Sequence, residues 1–234
     1  LSSKIKGLVV LLVMLASGAV LLTACGSDPT ATPLPTATPT PSAPQGVSDA
    51  EFLFQRGQDL EKEQLYTQAV KAYDDLIRIN NRYPRAFVVR GEALRKLNML
   101  DEAVRDFTQA IRLFPRDWEA YYLRGSTFGN QGKMDFALKD FDEAIRLNPG
   151  HAPSYNARGF ALSGTGKLEE GIKAYDESIR LDPNYAVVYA NRGMAHAVRG
   201  DDVKAEADLR KAVELGLDEE SLFAEFEEVK SQRP

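Results

Sequence analysis

The sequence predicts an all-α fold, an α-solenoid of five stacked helix–turn–helix units closed by a capping helix. Three observations predict it. An Arg-Gly pair recurs every 34 residues, at Arg56-Gly57, Arg90-Gly91, Arg124-Gly125, Arg158-Gly159 and Arg192-Gly193. Apolar residues recur three and four apart on either side of a glycine-bearing turn, as in YYLRGSTFGNQGKMDFALKDFDEAIRLNP, residues 121–149, the pattern of two amphipathic helices. Pro115, Pro149 and Pro183 keep the same interval and end each pair, because proline cannot continue a helix. A fixed period of this length marks supersecondary units that bury their apolar faces on one another.

The chain opens differently. Lys4 and Lys6 precede an uncharged run at residues 7–22, GLVVLLVMLASGAVLL. A membrane span takes roughly 20 apolar residues, so this shorter run after a basic start fits a secretory signal. The one cysteine, Cys25, follows in Leu22-Thr23-Ala24-Cys25. That order of aliphatic, small, small and Cys resembles the lipobox of bacterial lipoproteins. The resemblance implies lipidation of the Cys25 sulfur and cleavage of residues 1–24. It also implies anchoring at the extracytoplasmic side of the cell membrane, on the periplasmic face of the outer membrane in a diderm cell. Two acyl chains would hold firmly, since each buried CH₂ contributes about 0.8 kcal/mol.

Residues 25–49 are rich in Thr and Pro and nearly free of large apolar side chains. Such a segment cannot offset its ordering entropy by burial. Polyproline II at about 3.1 Å per residue would let it reach roughly 70 Å, so it reads as a disordered tether.

The five units are residues 50–83, 84–117, 118–151, 152–185 and 186–219. Ser48 and Glu51 form a capping box that opens the first helix. In each unit the glycine removes a side chain where two helices cross. Twelve residues on stands Ala69, Ala103, Ala137, Gly171 or Ala205, and four further Tyr73, Phe107, Phe141, Tyr175 or Leu209 fills the space left. Gly132 suits a turn between helices. Asp218 caps a last helix over 220–234, whose Leu222, Phe223, Phe226 and Val229 make one apolar face. A solenoid needs such an end, since its terminal repeat otherwise exposes core.

This pattern resembles the tetratricopeptide repeat across residues 50–219. It departs from the family at Asn81 and Leu217, where proline is usual, and at Gly171, where alanine is usual and glycine costs a helix about 1 kcal/mol. The resemblance implies a right-handed superhelix whose first helices line a concave face. Family ligand positions fall on Arg85, Val88, Val89, Glu92, Arg95 and Lys96 in unit two, the one basic stretch of that face. In unit three they are Glu119, Tyr122, Leu123 and Ser126, and in unit four Asn156, Ala157 and Phe160. In unit five they are Val187, Ala190, Asn191, Met194 and Val198. The Lys, Asn and Arg set with which some members grip a terminal carboxylate is missing. The expected partner is a protein, an amphipathic helix or extended segment whose backbone bonds the asparagines. The alternative is that the chain's own ends fill part of that face.

The remaining composition narrows function by exclusion. A net charge of −5 lacks the phosphate-neutralising surface of a nucleic-acid binder. Two histidines, His151 and His196, and one cysteine leave little for a metal site or disulfide. The stretch ALSGTGKL, residues 161–168, lacks the first Gly and last Ser or Thr of a phosphate loop and falls where the period puts a helix–helix turn. The five arginines read as a structural ladder paired with Asp74, Asp106, Asp140, Asp142, Asp176 and Asp208. His196 reads as a packing residue and His151 as a solvated ring in a turn. No catalytic residue, metal site or cofactor is expected beyond the lipid on Cys25. The leading expectation is a membrane-tethered interaction scaffold, with an assembly factor for a secretin or pilus machine as the narrower alternative.

Overall fold

The computed structural model of the chain describes residues 48–233. The expected signal, Cys25 and all but the last two residues of the expected tether lie outside the described residues. Among the described residues there are eleven helices and no strand. They are α1 (Asp49–Lys62), α2 (Tyr66–Ile79), α3 (Pro84–Lys96), α4 (Leu100–Leu113), α5 (Trp118–Asn130), α6 (Met134–Leu147), α7 (Ala152–Gly164), α8 (Leu168–Leu181), α9 (Ala186–Arg199), α10 (Asp202–Glu214) and α11 (Glu219–Ser231). None is long and apolar enough to cross a membrane. Each helix packs on the next, and α11 packs on both α9 and α10.

Local chemistry sets the boundaries. The Ser48 Oγ accepts the Glu51 N–H at 3.2 Å, and Asp218 Oδ2 accepts the Ser221 N–H at 2.8 Å. The Asp218 cap is thus made, and of the box at Ser48 the hydroxyl half; each satisfies one of a helix's orphan donors. Within each pair the turn needs one residue with φ near +60° to +94°. Gly132, Gly166 and Gly200 supply it in the last three pairs, and Gln64 and Asn98 in the first two. Gly166 is therefore a helix–helix turn, and the stretch around it is no phosphate loop.

The core forms where glycine faces an aromatic ring. A Cβ on Gly91 would stand 2.7 Å from the Phe107 ring, and one on Gly125 2.8 Å from Phe141. Tyr73, Phe107 and Leu209 are fully buried. Gly171 also has a reason that its low helix propensity hides. A Cβ there would meet the Ser163 Oγ at 2.4 Å and the Gly159 carbonyl oxygen at 2.9 Å. Helices α7 and α8 approach too closely for the alanine usual at this place.

Four of the five ladder arginines form an ionic seam; Arg56 has Ala72 sixteen residues on and no carboxylate partner among the described residues. Arg90 gives Nε and Nη2 to Asp106, sixteen residues on, and Nη1 to Asp74, sixteen residues back, at 2.6–2.7 Å. Arg192 repeats this with Asp208 and Asp176. Arg124 forks onto Asp140 and reaches Thr108. Among the described residues Arg158 has only Asp142, because Ala174 stands where the forward carboxylate would be. Each of these arginines thus ties the second helix of its own pair, that of the preceding pair, or both.

At the far end Leu222, Phe226 and Val229 of α11 pack on Ala190, Met194, Leu209 and Ala212, with Phe223 partly buried beside them. His196 is buried as expected, and burial pushes its imidazole below the usual range.

Candidate functional site

The inner face is built by α1, α3, α5, α7 and α9, the first helix of each pair. A cleft of about 180 Å³ opens in it between the end of α3, α5, α7 and the start of α9. Eight of the residues carried over by the family pattern meet there: Arg95, Tyr122, Ser126, Asn156, Ala157, Phe160, Val187 and Asn191.

The structure corrects four others. Val88 and Leu123 are buried with Phe87, Leu94 and Phe107 in the core between α3, α4 and α5. Val89 is buried against Leu53, Ala69 and Tyr73 of the first pair. Met194 is buried beneath α11. None of the four offers a surface in this state, so they hold helices together. The chain's own C-terminal helix covers the last pair, and the open trough ends before it.

Arg85 and Glu92 lie outside the cleft wall. Arg85 pairs with Glu119 across the gap between α3 and α5. Burial pushes the Glu92 carboxyl up, and Glu119 and Glu61 add to this while Arg85 and Arg95 oppose it. Glu61 accepts the Tyr73 hydroxyl proton at 2.9 Å. The N-terminal part of the inner face is therefore a mixed ionic patch, where Arg85, Arg95 and Lys96 alone suggest a basic one.

The amides are partly spent inside the protein. Asn156 accepts from Asn191 Nδ2 at 2.9 Å and donates to the Tyr185 hydroxyl at 3.4 Å. Asn156 is also buried, so bonding to a guest backbone falls to Asn191, whose Oδ1 has no partner among the described residues. Burial pushes Tyr185 up to about 12 and also raises Tyr122. Both phenols stay neutral near pH 7 and can donate or accept.

Two rings were missed or misplaced by the sequence reading. Tyr185 lines the cleft from the turn before α9. His151 is half-buried, 4.4 Å from the Trp118 ring and 4.9 Å from Tyr122, with Nδ1 2.7 Å from Ser154 Oγ. Burial lowers its pKa, so it is a neutral wall of the inner face and not a solvated ring. The period held the signal. Tyr83, His151 and Tyr185 stand 34 residues apart, or twice that, each just before a first helix. Each meets the fifth residue of its own unit or of the unit it closes: Phe54 at 6.0 Å, Tyr122, and Asn156.

Among the described residues the cleft offers an apolar floor, two phenols, a free amide oxygen and one guanidinium, which suits recognition of a protein segment.

Family models described as tetratricopeptide repeat match residues 88–152 and 152–185. No match was found among curated proteins. Among solved structures, MamA from Desulfovibrio magneticus RS-1 is 23% identical, with a TM-score of 0.66 over 72% of this chain and 96% of its own. YrrB, a tetratricopeptide-repeat protein with an unusual peptide-binding site, is 21% identical, with a TM-score of 0.61 over 74% and 89%. TTC0263, a thermophilic tetratricopeptide-repeat protein of Thermus thermophilus, is 17% identical, with a TM-score of 0.62 over 77% and 98%. At these identities the likeness is one of fold.

Proposed function

Because this chain is built of tetratricopeptide repeats, we propose that it is a membrane-tethered scaffold that receives a segment of a partner protein in its inner cleft. The cleft itself carries this reading. Phe160 and Tyr122 leave apolar surface open beside Asn191, whose amide oxygen awaits a donor. The peptide-binding site for which YrrB is described supports a peptide as guest by analogy of fold.

Phe160→Glu places a charge where an apolar side chain should dock. Loss of a buried anchor of this kind weakens binding by about 2 kcal/mol or more, roughly 30-fold. The measurement is crosslinking in the native cell from a photoreactive residue at Ser126, with identification of the captured protein. The Phe160→Glu form should lose that adduct while keeping wild-type helical content; an undiminished adduct would remove the cleft from the mechanism.

Tethering rests on the segment around Cys25. Labelled palmitate should enter the wild-type protein and not Cys25→Ser, which should leave the membrane fraction. Label retained by Cys25→Ser would refute the lipobox reading.

A further inference from the structure

We propose that the segment received in the cleft presents an acidic side chain to Arg95, beside an aromatic or long aliphatic side chain that enters the apolar floor. This rests on the cleft being the binding site and specifies what it selects.

Arg95 is the only charged side chain in the cleft wall among the described residues. Its Nε is buried and has no hydrogen-bond partner, and no ion pair reaches its guanidinium among the described residues. The contrast within the same chain is sharp. Arg90, Arg124 and Arg192 each have a forked carboxylate. A buried guanidinium N–H without an acceptor is unfavourable, and the planar fork matches a carboxylate with two parallel bonds.

The repeat does not require Arg95. The same place in the other units holds Glu61, Gly129, Ser163 and Ala197, so no structural role recurs there. Its charge also reaches the phenol of Tyr122 on the cleft wall, which sets the cation beside the apolar floor. Glu92, one turn earlier, feels the charge of Arg95 as well as those of Arg85, Glu61 and Glu119, but neither bonds nor pairs with its guanidinium among the described residues.

The cleft, whose walls include Tyr122, Phe160 and Tyr185, has about 180 Å³ in all. A cavity of about 150 Å³ holds a benzene ring, so one large side chain fits. Charge complementarity and volume thus name the guest: Asp or Glu a few residues from Phe, Tyr, Trp, Leu or Met. The inner face runs on past Arg95 along α3 to α1, so the segment need not end there, and the acid is a side chain.

The test screens random 12-residue peptides held between two carrier segments against the whole protein, with a parallel library carrying free C-termini. Selected peptides are then measured by fluorescence anisotropy. Asp or Glu should be enriched at a fixed spacing from a large apolar residue. Arg95→Glu should weaken these peptides at least 10-fold, and changing their acid to Lys should restore binding to Arg95→Glu. Arg95→Met, which keeps the stem, should weaken them as well. If Phe160→Glu abolishes binding while both Arg95 variants leave it intact, the acid contact is wrong and the cleft stands. Peptides indifferent to Phe160→Glu would overturn both. Binders found only among free C-termini would overturn the side-chain assignment.

Discussion

Replacing Gly159 by valine should lower the unfolding free energy by about 3 kcal/mol, the upper end of overpacking costs. A Cβ at Gly159 would stand 2.6 Å from the Tyr175 ring and 3.0 Å from the Gly171 carbonyl oxygen. The ring is almost fully buried and cannot swing away. The backbones already lie close, since a Cβ added at Gly171 would in turn stand 2.9 Å from the Gly159 carbonyl oxygen. Gly129→Ala provides the contrast. A Cβ there meets nothing within 4 Å, so relief of glycine's entropy should raise stability by about 0.5–1 kcal/mol. Urea unfolding gives both numbers from the midpoint at constant slope. Equal midpoints for Gly159→Val and the wild type would mean that α7 and α8 do not approach as described.

Arg90→Met should cost about 2–3 kcal/mol at neutral pH. Removing one partner of a fully buried pair costs about 3–5 kcal/mol, and the figure is reduced here because Arg90 keeps about a fifth of its side chain exposed. Burial already pushes the Asp106 carboxyl above the usual range, against the downward pull of Arg90's hydrogen bonds. Without Arg90 that pull is gone and the carboxyl titrates higher still. Its native pKa then lies above its unfolded value. The deficit is therefore largest above the native pKa and shrinks as pH falls through it. Unfolding at pH 7.5 and 5 should show the gap from wild type narrowing in acid. Arg90→Met with Asp106→Leu should recover most of the loss, because no charge is left buried. A double variant as unstable as the single one would make the seam a matter of packing and not of charge.

The fold was legible because its cause is periodic. Glycine against Tyr73, Phe107, Phe141 or Tyr175, and arginine against aspartate sixteen away, recur in phase, and phase is visible in one dimension. The cleft was legible only in part. The family positions name a helix face, but the depth of each side chain depends on what its neighbours leave uncovered. Val88 and Leu123 share that face with Tyr122 yet sink between helices, and Met194 vanishes under α11. Tyr185 stands outside any helix, in a turn, where amphipathic periodicity carries no signal. Arg95 could be named from the pattern, but its lack of a partner could not, because pairing is a fact of distance.

The seam has a mechanical consequence. Arg158 lies two residues from Phe160, about 200° around the same helix, so the ionic ties run along the side opposite the cleft. Where an arginine holds carboxylates of two neighbouring pairs, as Arg90 and Arg192 do, the outer margin resists stretching. From α5 to α9 the inner margin is held by apolar contacts and two asparagine bonds, and the Arg85–Glu119 pair ties it between α3 and α5. Any flexing of the stack must then pivot on the outer edge and spread or pinch the inner one, as the ribs of a fan turn on their pin. A guest's thickness would be accommodated by small rotations shared among several units, without any single hinge.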